Sequence, residues 1–240
     1  ANATLHDGNY SVVVSNDFGS VESGLVEIKV IDSIMNGLVA WWKFDETNGT
    51  VAYDSSGNGN DGNLALGAIW TDGIIGNAIS FNTSQYMTSN VKYKPASDAS
   101  GQSYSAWVKN EGQSWRVFGS DASGNGAIHL TVSGGQNHIT FGTTSFGSGN
   151  NGESANTKNI PITLGWHNVI LIKQANKYEL FFDGSSLIAD MQRNTSNTST
   201  NFNLGRAHSN QNYSGKIDDV RIYDRALSAA EVQALYNMGQ

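Results

Sequence analysis

Residues 37–64 read GLVAWWKFDETNGTVAYDSSGNGNDGNL. The stretch opens on β-formers and ends in YDSSGNGNDG, residues 53–62, where carboxylate, amide and hydroxyl side chains alternate with glycines. A strand running into a glycine-rich turn is the unit from which antiparallel sheets are built. The unit recurs in SYSAWVK (103–109), AIHLTV (127–132), HITFGT (138–143), HNVILIK (167–173), YELFFDG (178–184) and IDDVRIYD (217–224). In 104–108 and 168–172 part of each run alternates and part is continuously apolar. That mixture predicts an antiparallel sandwich with one wet face per sheet. Gln174-Ala175-Asn176-Lys177 and Asp183-Gly184 read as tight hairpin connections. One helix is predicted, at the end: Ser228 and Glu231 form a capping box, and Leu227, Val232, Leu235 and Tyr236 an apolar stripe.

Composition agrees with an all-β chain. Among 240 residues there are 27 glycines and 2 prolines, and 38% are hydrophobic, enough for a core. The net charge of -7, with 14 scattered Lys and Arg, excludes nucleic acid and anionic membrane surfaces as partners. Cysteine is absent, so neither a disulfide nor a thiol nucleophile exists. No apolar run is long enough to insert into a bilayer, and ANATLHDGNY lacks the basic start and apolar stretch of a signal peptide.

Residues 10–15 and 21–30, joined by Asn16-Asp17-Phe18-Gly19, predict a hairpin. The approach Asp7 to Tyr10 resembles the entry to the penultimate strand of an immunoglobulin-like domain, where a cysteine commonly stands two residues after the tyrosine and Val12 stands here. Residues 1–30 therefore resemble the C-terminal hairpin fragment of an immunoglobulin-like domain, with 31–36 as linker. An isolated hairpin is marginal in water, so docking on the larger domain or a neighbour is expected.

Four blocks carry a second resemblance: the opening stretch, GIIGNAISFN (73–82), WHNVILIKQANKYELFFDG (166–184) and GKIDDVRIYDRALSAAEVQALY (215–236). In this order they resemble the laminin-G-like, concanavalin A-like jelly-roll domains of secreted bacterial proteins. The resemblance implies that 37–240 is an antiparallel two-sheet jelly-roll β-sandwich with a short C-terminal helix. It also implies a structural calcium ion and a binding role, in a domain appended to a polysaccharide-degrading enzyme or an adhesin at the cell surface or in the medium.

Two readings of YDSSGNGNDG stand. As an EF-hand it fails, because Ala65 occupies the twelfth position, where a bidentate glutamate belongs. As a plain turn, Asp54 and the serines bond local backbone while Gly57, Gly59 and Gly62 take positive φ. As a metal site, Asp54, Asn58 and Asn60 join Asp45 and Asp218, two carboxylates beside apolar neighbours on strands that a sandwich brings side by side. Such a calcium ion would tie the chain ends together. Zinc is excluded by unpaired histidines and the lack of cysteine.

Retaining glycosidases of this fold need two carboxylates about 5–5.5 Å apart, delivered by a strand of alternating acids. No such strand exists, and no Gly-x-Ser-x-Gly elbow. His129, His138, His167 and His208 read as strand and loop residues. The chain is therefore expected to be non-catalytic, a carbohydrate-binding module that holds other domains of its parent protein on a polysaccharide or cell-surface glycan. The alternatives are a protein-binding or spacer domain and, last, a hydrolase or lyase with an atypical site. Sugar sites combine an exposed ring with directional hydrogen bonds. Trp115 and Arg116, in polar sequence, and Arg206, His208 and Tyr213, before the last strand, are the candidates.

Overall fold

The computed structural model describes residues 8–28, 32–82, 84–93, 100–111, 117–120, 127–133, 136–142, 156–159, 165–175, 177–192, 200–206 and 213–240. Two large antiparallel sheets face one another. The first runs Asn156–Asn159, Gln136–Gly142, Ala127–Ser133, Phe118–Ser120, Thr200–Leu204, Tyr86–Tyr93, Gly62–Ala65 and Val51–Ala52. The second runs Ser185–Gln192, Lys177–Phe182, Trp166–Gln174, Gln102–Asn110, Gly215–Tyr223, Asn77–Phe81 and Ile69–Asp72, with Leu38–Trp42 also paired to Gly215–Tyr223. The first and last strands of the sandwich are thus neighbours, Val220 opposite Trp42 and Arg221 opposite Trp41. The jelly-roll sandwich expected from the turn and strand pattern is the fold.

Alternation explains the core. Ala40 and Trp42 are buried between the sheets while Val39 and Trp41 are half-buried; Leu38, opposite Tyr223 beyond a register shift, is buried on the other side with Tyr223. Phe202 of the first sheet lies between Trp42 and Tyr104 of the second, 5.8 Å and 5.6 Å from their ring centroids, with interplanar angles of 19° and 5°. Each such pair adds about 0.5–1.5 kcal/mol beyond its buried area, so this stack ties the two sheets together.

The expectation of one wet face per sheet needs correction. The helix Ala229–Asn237 covers part of the second sheet's outer face, where Val232, Leu235 and Leu227 pack on Ile170, Ile172, Phe181 and Tyr223. Trp107 lies on that side too, stacked on Tyr236 at 5.9 Å. This is why Gln102–Asn110 is buried along almost its whole length. The helix begins as expected: Ser228 and Glu231 form the capping box, and Glu231 also receives Arg225 at 2.6 Å. Asp183 (φ 47°) and Gly184 (φ 72°) take the paired left-handed conformations of a two-residue hairpin turn.

Residues 8–28 form the predicted hairpin. Gly8–Tyr10 pairs with Val26–Ile28 and Val13–Asn16 with Gly19–Glu22, and the amide of Phe18 is held by the Asn16 side chain at 2.9 Å. The docking expected of it is not seen among the described residues. Val12, Val13, Val14, Phe18, Val21 and Val26 are all exposed, Phe18 at 97%. A two-stranded ribbon has no second layer to bury its side chains against.

Candidate functional site

The loop that ends the opening stretch is a turn sewn to the strand before it. Oδ1 of Asp54 accepts from the amides of Trp41 and Ser56, both at 2.9 Å, and Oδ2 from the Ser56 hydroxyl (2.8 Å) and the Asn60 amide (2.9 Å). Asn58 donates to Leu38 O at 2.8 Å and Asn60 to Val39 O at 2.8 Å. Trp42 donates its indole N–H to the Asn60 carbonyl. Burial pulls the Asp54 carboxyl upward, but the amides of Trp41, Asn60 and Ser56 and the Ser56 hydroxyl outweigh it and hold the group below its ordinary value. Gly57 (φ 88°) and Gly59 (φ 71°) take positive φ. Gly62 does not; a Cβ there would lie 2.3 Å from the sulfur of Met87, so close packing is what requires glycine.

Asp45 and Asp218 grip a different loop. Oδ2 of Asp218 accepts from Ile74 and Ile75, each at 2.9 Å, and Oδ1 of Asp45 accepts from Asn77 at 3.1 Å. A Cβ on Gly73 would meet Asp218 Oδ2 at 2.4 Å, and one on Gly76 would meet Asp45 Oδ1 at 2.1 Å, so both glycines are demanded by the carboxylates packed on them. Asp218 is fully buried and its Oδ1 has no hydrogen-bond partner. Burial pushes its carboxyl up to about 7, against the pull of the Ile75 and Ile74 amides. The five residues read from sequence as one metal set thus fall into two groups. Asp54, Asn58 and Asn60 are spent on backbone. Asp218, with an orphaned buried oxygen, and Asp45 instead hold the 73–77 loop through different amides. Among the described residues no group of three or more metal-ligating side chains stands together.

Of the residues read as a glycan site, Trp115, Arg116 and His208 lie outside the described residues. Tyr213 is corrected: it is wholly buried in the core, its hydroxyl reaches Lys216 O at 3.5 Å, and burial raises its pKa. It closes the base of its loop from inside, its amide donating to Gly205 O at 2.8 Å. Arg206 is half-buried, with its guanidinium carbon 4.5 Å from the ring centroid of Tyr86. Gly205 makes this placement possible. It has φ 75°, and a Cβ would come within 2.9 Å of the Phe81 ring.

Tyr86 begins a row that the sequence did not disclose. Thr88 pairs with Asn203 on one side and Asn63 on the other, while Met87 pairs with Leu204 and Leu64. Because Met87, Leu204 and Leu64 belong to the core, strand alternation puts Thr88, Asn203 and Asn63 on the outer face; there Asn63 is exposed and Thr88 half-buried, while Asn203 is covered, only 1% exposed. Further along, Lys92 donates to Asn201 at 2.6 Å. One face therefore carries amides, a hydroxyl, an aromatic ring and two cations, the mixture that polyhydroxylated ligands use. The alternation of TNFNL (200–204) against YMTSN (86–90) was a signal that one face is polar.

Three glutamates and His167 are engaged in structural contacts. Glu46 accepts from Tyr53, Glu179 from Ser186, and Glu231 from Arg225 and Ser228. His167 Nδ1 meets Asp183 Oδ2 at 2.7 Å and stacks on Phe182, while Asp183 Oδ1 accepts the amide of Asn168. That arrangement pins the hairpin turn.

A model of the concanavalin A-like lectin/glucanases superfamily matches residues 81–233, more than half of the chain, and the chain belongs to that superfamily. No curated protein matches it. Among solved structures it is similar to domain 4 of AbnA, a GH43 extracellular arabinanase from Geobacillus stearothermophilus, in complex with arabinotriose. That likeness has 21% identity and a TM-score of 0.61, over 83% of this chain and 98% of that one. It is similar also to the binding domain of Paraclostridial Mosquitocidal Protein 1, with 16% identity, a TM-score of 0.58, and 85% and 53% of the two chains covered. Trypanosoma rangeli sialidase matches at 16% identity and a TM-score of 0.60, over 83% of this chain and 32% of the sialidase. At these identities the likeness is one of fold. The helices of the described residues include none long and apolar enough to cross a membrane.

Proposed function

We propose that this chain is a non-catalytic carbohydrate-binding module of a larger secreted or cell-surface protein, and that it holds that protein on a polysaccharide. The observation that carries the reading is the Arg206–Tyr86 pair at the edge of the outward row that holds Asn63 and Thr88. The cation packed on this ring adjoins a sheet face that carries amides and a hydroxyl. A flat polar strip of this kind suits an extended glycan. The similar fold of a domain solved with arabinotriose supports the ligand class. That Glu179 and Glu231 are held by structural partners supports a binding role over hydrolysis, which needs a free carboxylate pair.

A structural calcium ion belongs to the proposal. Asp218 would hold it with backbone carbonyls of the loop it grips, since calcium takes six to eight oxygens, and the ion would neutralise a buried carboxylate. Residues 1–30 are read as the end of an immunoglobulin-like domain, a reading supported by a ribbon with apolar side chains exposed on both faces. The same ribbon favours the second reading, a protein-contact or spacer domain without glycan recognition.

Retention on immobilised polysaccharides, arabinan among them, tests the choice. Arg206→Ala and Tyr86→Ala are each expected to weaken binding about 10-fold, the loss of roughly 1–2 kcal/mol of directed contact. Silence of the wild type across the panel, or binding unchanged in both variants, refutes the assignment of this face.

A further inference from the structure

A cavity of about 380 Å³ lies apart from the Arg206 face, against the second sheet and the C-terminal helix. Trp41, Lys43, Asp45, Asp219, Arg221 and Met238 wall it. Trp41 packs against the outer apolar cluster, so the cavity opens on the side of the sheet that carries the helix.

Its floor is pre-organised. Oδ1 of Asp219 accepts the indole N–H of Trp41 at 2.6 Å and also Nε and Nη2 of Arg221, at 3.3 Å and 3.1 Å. Arg221 lies 4.3 Å from the centroid of the Trp41 ring, and both Asp219 and Arg221 are only 4% exposed. Lys43 is different. Its ammonium sits 4.4 Å from the same ring, the residue is half-buried, and among the described residues it has no ion-pair partner. One wall residue, Asp219, is a non-glycine residue at left-handed φ (45°). Strain of that kind costs about 1–2 kcal/mol per residue and concentrates at ligand sites.

Charge decides the ligand class. Two cations and two carboxylates balance, so an anion would meet Asp45 and Asp219 and a cation would meet Lys43 and Arg221. A polyhydroxylated neutral molecule uses both signs, donating to carboxylate and accepting from ammonium. The volume falls within the range of small-molecule sites, which begins at about 300 Å³.

We infer that this cavity is a second binding site, for a single neutral sugar ring, built by Trp41, Lys43, Asp45 and the buried Asp219–Arg221 pair. The inference rests on the glycan-binding reading for its ligand class, not for its residues.

The test is a nitrogen-15 spectrum of the whole chain, in which Trp41→Phe identifies one of six indole signals. Free L-arabinose, D-galactose and D-glucose are titrated at millimolar concentration, with D-glucuronate and D-glucosamine as charged probes. The Trp41 signal is expected to move saturably with at least one neutral sugar, and Lys43→Ala is expected to weaken that titration about 3- to 10-fold. A Trp41 signal unmoved by every neutral sugar, one moved by a charged sugar alone, or a titration unchanged in Lys43→Ala overturns the inference. Polysaccharide retention measured in parallel separates the two failures. If retention still depends on Arg206, only the second site is lost; if there is no retention at all, the glycan-binding reading falls as well.

Discussion

Asp54 accepts the backbone N–H of Trp41 through Oδ1 at 2.9 Å, and by that contact the glycine-rich loop is fastened to the strand preceding it. Both carboxylate oxygens are used, four donors in all. Asp54→Ala strands those donors in a partly buried place. It is expected to cost about 2–3 kcal/mol, a fall in Tm of roughly 5–10 °C by thermal unfolding. A loss within the error of the scan would mean that water replaces the carboxylate freely.

The same group sets an acid limit. Its folded pKa lies below its ordinary value, so its contribution is present above the unfolded pKa of about 4 and is lost as pH falls through the folded one. The Tm gap between wild type and Asp54→Ala should stay constant from neutral pH down to about pH 5 and close below pH 4. A gap that persisted undiminished at the acid end would contradict the assignment.

Asp218 decides the calcium question. With calcium at a hundredfold excess over its Kd, stabilisation is about 2.7 kcal/mol, or roughly 5–10 °C in Tm. Asp218→Asn should abolish the response yet lose little in chelator, because the amide keeps an acceptor for Ile74 and Ile75 and places a neutral group at the orphaned position. A wild type indifferent to calcium and chelator would leave Asp218 as a loop anchor alone.

Tyr213 separates a core role from a ligand role. Tyr213→Phe removes only a hydroxyl whose bond to Lys216 O is long, and is expected to change stability by less than about 1 kcal/mol and glycan retention not at all. Tyr213→Ala empties a core position and should cost about 3–5 kcal/mol in denaturant unfolding. Retention weakened by Tyr213→Phe with stability intact would restore the residue to the site.

Gly205 couples fold to site. Gly205→Ala forces an L side chain to φ 75° and against the Phe81 ring. A loss of about 1–3 kcal/mol is expected, together with glycan retention reduced as far as in Arg206→Ala, because the turn that lays Arg206 over Tyr86 is disturbed. Full retention in Gly205→Ala would show that the guanidinium is positioned by something other than this turn.

Much of this was legible in the chain itself. The six strand runs, the Asp183-Gly184 turn, the Ser228–Glu231 capping box and the hairpin of 8–28 all follow from local pattern, because backbone twist, helix caps and turn φ are settled within a few residues. The turn reading of YDSSGNGNDG was available too, since Asp and Ser bond the backbone two residues on. Which face of a strand is wet was less accessible. Ile170, Ile172 and Phe181 look outward by alternation and are dry only because the helix lies on them.

The sequence by itself determined an all-β sandwich with its strands, turns and closing helix, because each rests on interactions between near neighbours. Only the tertiary structure decided what those elements present. Trp41 and Asp219 are 178 residues apart and share a hydrogen bond; Thr88 meets Asn203 and Asn63 through register alone; Tyr213 turns inward although its neighbours are polar. Strand alternation states that a residue has a side, but pairing and layer contacts, which are long-range, choose what faces it there.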